Sequence, residues 1–187
     1  MKKLSQRINQ ISSGKVALLV TVIYILFMII VLPMQSEKSK IALKNNPSPD
    51  MSFVYSSQDL YKMAESYGVK GRKFYVKARY TFDIVWPLVY GLFLTITIAF
   101  ILKNTINVER YMYLNLLPIG GVLLDFLENI STSIVMVQYP LKMDFITTIA
   151  PIFTLSKWIV LSISFSFLII GCVYLISIKI KNNFKTD

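Results

Sequence analysis

Four long apolar runs decide what this chain can become. They cover roughly residues 16–33, 80–102, 113–137 and 153–178. Each reaches or approaches the ~20 residues that a helix needs to cross ~30 Å of hydrocarbon. In lipid a spanning segment must satisfy its own backbone polar groups, which leaves helices as the solution for isolated runs of this length. The expected fold is therefore all-α: a four-helix transmembrane bundle within a single membrane domain, residues 1–187. The composition agrees. Of 187 residues 55% are hydrophobic and the mean hydropathy is +0.57, more apolar surface than a soluble domain of this size uses.

The first run follows a basic stretch (Lys2, Lys3, Arg7, Lys15) and so invites comparison with a signal peptide. It is longer than the ~7–15 residues of a signal-peptide core, and no A-x-A-like site follows Pro33. Retention as an anchor is expected. The net charge of +10 comes from 20 Lys and Arg against 10 Asp and Glu. These basic residues flank the apolar runs, where they suit anionic lipid head groups, and nucleic acid is not an expected partner. Both tails are basic, which predicts a multi-pass membrane protein with both termini cytoplasmic.

Two absences narrow the chemistry. The chain has no histidine, which removes HExxH zinc chemistry, Ser-His proteolysis and bis-His haem ligation. Its one cysteine, Cys172, lies in the fourth run and excludes a CxxC thiol centre. No metal site and no cofactor are expected.

Residues 34–78 form the one sizeable insertion between runs and are expected outside the membrane. The stretch 37–50 reads as polar and irregular. Ser56 and Asp59 then have capping-box spacing, and Leu60, Met63, Ala64 and Tyr67 share a side, with Gly68 placed to stop the helix. This predicts a short amphipathic helix, 57–67, packed on the bundle or closing a cavity as a lid. Leu60, Met63, Tyr67 and Arg72 are its candidate contact residues. A further helix is expected to start near Gly71 and run into the second span, with Arg72, Lys73, Lys77 and Arg79 as head-group anchors. The other links, 103–110 and 138–154, are short and force antiparallel neighbours.

The candidate site is a set of polar groups inside the runs. Asp125, Glu128 and Asn129 have i, i+3, i+4 spacing and share a helix face. On the second run Asp83, Pro87, Tyr90 and Gly91 share a face, and Lys157 lies near the start of the fourth run beside Trp158. Counting rise per residue puts Asp83, Asp125, Glu128, Asn129 and Lys157 in the same half of the membrane, below the insertion. Lys157 then reads as the one intramembrane cation available to three acids. Such an excess predicts that Asp125 or Glu128 holds a proton at neutral pH. Ionisable groups at this depth are costly and point to function, although a small bundle can also use them to fasten its helices.

The motif pieces Tyr67-Gly68, Gly71-Arg72, Tyr75, Asp83, Pro87, Tyr90-Gly91, Pro118, Asp125, Glu128-Asn129, Tyr139-Pro140 and Lys157-Trp158 keep order and spacing over roughly residues 55–165. In this the chain resembles a family of uncharacterised bacterial four-helix integral membrane proteins. The resemblance implies a shared fold and polar site, and no named activity. A weaker likeness is to the sterol-isomerase-like (emopamil-binding) superfamily, whose isomerases are expected to use a cavity histidine. This chain lacks one, so the likeness implies only a cavity for an amphipathic or cationic lipid-like ligand. The reading is a membrane protein that binds such a ligand or serves as an accessory subunit. Its partners would be membrane lipids and either a second copy or another membrane protein. The alternatives are a small lipid-modifying enzyme using carboxyl acid/base chemistry, and a structural or assembly protein.

Overall fold

The computed structural model describes residues 1–105 and 111–183. Among them the chain is all-α, with no strand. Four helical stretches, Gly14–Ala42, Ser57–Thr105, Tyr113–Gln138 and Asp144–Lys181, are long and apolar enough to cross a membrane. Most of the 103–110 link, residues 106–110, lies outside the described residues, as does Lys185.

The N-terminal tail is helical. Helix α1, Lys2–Ile11, buries Ser5, Ile8 and Asn9, and Asn115 donates to the Ser5 carbonyl and to Asn9 Oδ1. Helix α2, Gly14–Leu26, starts with Ser13 Oγ accepting from the Val16 N–H.

The first span does not end near Pro33. It passes through a π turn, Phe27–Val31, into α3, Leu32–Ala42, with Pro33 in the first turn of α3. A proline inside an α-helix clashes with the carbonyl four residues back. In the wider turn the Leu32 N–H bonds to the Phe27 carbonyl instead, and the helix continues through the proline. Lys44 and Asn45, both with positive φ, then end it.

Helix α4, Ser57–Arg79, opens with the expected capping box: Ser56 Oγ accepts from the Asp59 N–H, and Asp59 accepts from the Ser56 N–H. Gly68, at φ 61°, breaks the helix as its position suggested. This is left-handed backbone that glycine adopts without a Cβ penalty. The chain re-enters helix at once, so the short helix and its successor form one kinked rod. Helix α5, Phe82–Thr105, follows after two residues. Helices α6, Leu117–Gln138, and α7, Asp144–Asn183, complete the bundle. At 40 residues α7 is about 60 Å long, twice the hydrocarbon thickness.

Two apolar cores result. One lies among the spans and includes Val20, Tyr90, Phe93, Leu94, Val122 and Leu161. Tyr24 stacks against Phe93 and Trp86 within it, at ring separations of 4.2 and 5.9 Å. The other lies under the insertion and includes Leu43, Tyr55, Leu60, Tyr67, Tyr75, Val135 and Met136. Helix α6 runs through both, with Val122 in the first and Val135 in the second. Its polar residues 125, 128 and 129 fall between them.

Candidate functional site

The layer between the two cores is polar, and its centre is Arg79. Sequence reasoning placed this residue among head-group anchors. It is instead 6% exposed, and its guanidinium faces inward. Lys73 and Lys77, on the same helix, do point outward. Arg79 Nη2 pairs with Asp50 Oδ1 at 2.8 Å and donates to Ser48 Oγ at 3.0 Å. Nη1 reaches Asp83 Oδ2 at 2.9 Å, Asp50 Oδ2 at 3.2 Å and Asn129 Oδ1 at 3.3 Å. The guanidinium also lies over the Tyr75 ring, 4.3 Å from its centroid.

Lys157 is therefore not the sole cation for these acids. The corrected inventory is Asp50, Asp83, Asp125 and Glu128 against Arg79 and Lys157. The sequence carried one usable sign of Arg79, its i, i+4 spacing to Asp83. Asp50, in the 3-10 turn Pro49–Met51, gave none. It lies in the stretch that read as irregular, 29 residues from its partner.

Asn129 joins Arg79 to the remaining acids. Its Oδ1 accepts from Arg79, while Nδ2 donates to the Asp83 carbonyl at 3.3 Å and to Asp125 Oδ1 at 3.2 Å. An aspartate here could make neither donation. Asp125 also accepts from the Tyr90 hydroxyl at 2.7 Å and lies 3.7 Å from Lys157 Nζ. Tyr90, Asp83, Asp125, Asn129 and Lys157 thus form one connected cluster.

Glu128 joins it through Lys157. Its Oε2 sits 2.5 Å from Lys157 Nζ as a close ion pair. Its Oε1 is buried with no partner, and the residue is 1% exposed. Lys157 in turn lies over the Trp158 ring, 5.4 Å from the centroid.

The insertion closes this layer from outside. Tyr67 donates to the Pro47 carbonyl at 2.5 Å, Tyr55 bonds Thr154 at 3.1 Å, and Ser57 donates to the Thr147 carbonyl at 3.0 Å. Asp50 also accepts from the Ser48 hydroxyl. Burial raises the Asp50 carboxyl, but the adjacent Arg79 more than offsets this and holds it well below the usual carboxylate range. Burial pushes the Tyr55 hydroxyl upward.

Of the lid residues, Leu60, Met63 and Tyr67 are buried in the core under the insertion. Arg72 does not meet the polar layer. It donates to the Ala64 carbonyl at 2.8 Å, bracing the Gly68 kink, and stacks over Tyr139 at 4.7 Å.

Two apolar grooves mark the outer surface. One, of about 160 Å³, lies between Val20, Ile23 and Val85, Leu88, Val89, Leu92. The other, of about 240 Å³, runs along Ser162, Ile163, Ser166, Phe167 and Ile170. Neither is lined by a residue of the polar layer. Among the described residues no group of His, Cys, Asp and Glu side chains could hold a metal ion.

Comparison with protein-family models, with curated proteins and with solved structures finds no match.

Proposed function

We propose that this chain is a multi-pass membrane protein whose polar layer binds the head of a lipid-like or small amphipathic ligand. Glu128 carries the reading. A carboxylate oxygen that is buried without a donor calls for a missing partner, and the layer holds four carboxyls to two cations. A hydroxyl or ammonium head group would supply the donor, and an ammonium would also offset the charge. The weaker likeness, to the sterol-isomerase-like superfamily, implies the same ligand class. Lys2, Lys3, Arg7 and Lys15 lie at the end of the bundle where Lys179 and Lys181 emerge, since Gly14 meets Phe100 and Gly171 meets Ile101. We place that end in the cytoplasm by the positive-inside rule.

Native mass spectrometry of the protein released from its membrane tests the proposal. The wild type is expected to retain a bound amphiphile that Glu128→Gln and the double variant Asp125→Asn/Glu128→Gln lose while staying folded. Retention of the same species by both variants would refute it.

A second reading is that the layer only fastens helices. The full use of Asn129 and the many bonds of Arg79 favour it. Under that reading both variants melt earlier in detergent, and the wild type carries only bulk lipid.

A further inference from the structure

We infer that the tip of the insertion, Met51–Val54, is a wedge seated in the bilayer, its apolar side chains facing lipid beside α7. Apart from the Asp50–Arg79 pair, the observations are separate from those behind the ligand proposal, and the wedge stands whether or not the site is occupied.

Exposure gives the first. Met51, Phe53 and Val54 are 74%, 60% and 77% exposed, where the 3-10 turn Pro49–Met51 passes into irregular chain. Successive large apolar side chains on a loop are expensive to leave in water. The stretch 51–58 carries no charge, whereas the outward face of α4 carries Lys62, Glu65, Lys70, Lys73 and Lys77, all exposed. The two parts of the insertion thus face different surroundings.

Depth gives the second. Helix α5 has no charged residue between Asp83 and Lys103, a stretch of about 30 Å that matches the hydrocarbon thickness. Gly91 packs against Val122, and Gly121 against Leu161. Leu161 is therefore level with Gly91, and the Gly171–Ile101 contact ten residues further along keeps the same register. Trp158 then lies level with Leu88, roughly 7 Å inside the Asp83 boundary. The Phe53 ring sits 5.0 Å from the Trp158 ring. On α7 the neighbouring Leu155 and Ile159 are 42% and 51% exposed. The tip thus continues the lipid-facing surface of a spanning helix.

The turn that leads into the tip gives the third. Its Met51 and Ser52 N–H groups bond to the Ser48 and Pro49 carbonyls, and the Pro47 carbonyl accepts from Tyr67, so the approach to the tip keeps these polar groups on protein. Asp50, the charge nearest the tip, is turned away from lipid onto Arg79.

Spin-label accessibility tests the wedge. In a Cys172→Ser background, single labels would be placed at V54C and M51C, with I159C as the lipid reference and K62C as the water reference. The protein would be reconstituted in nanodiscs of phosphatidylcholine and phosphatidylglycerol. Labels at 54 and 51 are expected to meet oxygen more than a water-soluble nickel chelate, as at 159, with at least a several-fold difference in that ratio from 62. All four side chains are at least half exposed, so the labels leave the packing intact, and size exclusion confirms it. Grouping of 54 and 51 with 62 would overturn the inference and leave the tip to be covered by a protein partner.

Discussion

Replacing Arg79 with methionine should be among the most damaging single changes outside the apolar cores. Methionine keeps much of the length and apolar contact but removes the guanidinium. Asp50, Asp83 and Asn129 Oδ1 then lose the guanidinium, and Asp50 is left with the Ser48 hydroxyl. Breaking a buried pair by removing one partner costs about 3–5 kcal/mol, because the other charge is stranded. Asp50 is 32% exposed and can rehydrate, whereas Asp83 is only 13% exposed. The lower end, about 3 kcal/mol, is the better expectation. For a chain of this size that corresponds to a drop in Tm of roughly 6–12 °C. Intrinsic fluorescence during a thermal ramp in detergent reads it directly, since Trp86 and Trp158 lie on α5 and α7. Lys77→Met, one half-turn earlier and exposed, should move the transition by no more than about 2 °C. Arg79→Lys should fall between, because an ammonium keeps the charge but cannot fork to several acceptors. Adding Asp83→Asn to Arg79→Met should recover part of the loss by removing the stranded carboxylate. If Arg79→Met melts with Lys77→Met, or the second substitution recovers nothing, the guanidinium is a head-group anchor and the polar layer has another centre.

Two further substitutions separate contributions within the layer. Asp50→Asn should cost about 1 kcal/mol at pH 7, or roughly 2–4 °C. The folded-state value of Asp50 lies below its unfolded one, so its stabilisation is present above about pH 4 and is lost as pH falls below that. The gap between wild type and variant should therefore close on acidification and stay constant from pH 6 to 8. Asn129→Asp should be worse than Asn129→Ala at pH 7, because it adds a carboxylate beside Asp125 as well as removing the two donations. A loss of about 3 kcal/mol or more is expected. The difference between the two variants should shrink as pH is lowered, and equal melting at every pH would show that the added charge is not buried.

The spans and their polar faces were legible because both are periodic. Apolar runs of bilayer length and 3–4 spacing identify Asp83, Tyr90, Asp125, Glu128, Asn129 and Lys157 without tertiary information, and the structure brings these six together. Capping chemistry likewise located the start of α4 at Ser56 and its break at Gly68. Arg79 misled because its neighbours Lys73 and Lys77 do face outward, and composition alone does not say which of the four expected anchors, Arg72, Lys73, Lys77 and Arg79, turns in. Asp50 gave no periodic signal, since a loop residue's partner is set by how the chain returns. The persistence of the first span beyond Pro33 was hidden for a local reason: a π turn accommodates a proline that an unbroken α-helix rejects. The helical state of residues 2–11 was missed because the face it buries is mostly polar, with Ser5 and Asn9 beside Ile8.

The position of the polar layer follows from its charge. Four carboxyls and two cations placed at the bilayer centre would have little beyond one another to offset their dehydration. Here the layer begins at the Arg79–Asp83 level, where the uncharged run of α5 starts, and reaches down about two turns to Tyr90 and Asp125. Its upper members keep access to the polar side through the partly exposed Asp50. Its lower members are closed off by the core of Tyr90, Val122 and Leu161. That is the depth at which an amphiphile carries its own head group, so a ligand would not have to move its polar end through hydrocarbon to reach Glu128. The proposed wedge lies at the same level, beside Trp158 and Lys157. The irregular segment that carries Asp50 is thus joined to the site by the Asp50–Arg79 pair and, in the proposed wedge, to the lipid by Phe53. Breaking that pair with Asp50→Asn should loosen the segment, and a spin label at position 54 should then report greater mobility while the label at 159 does not change.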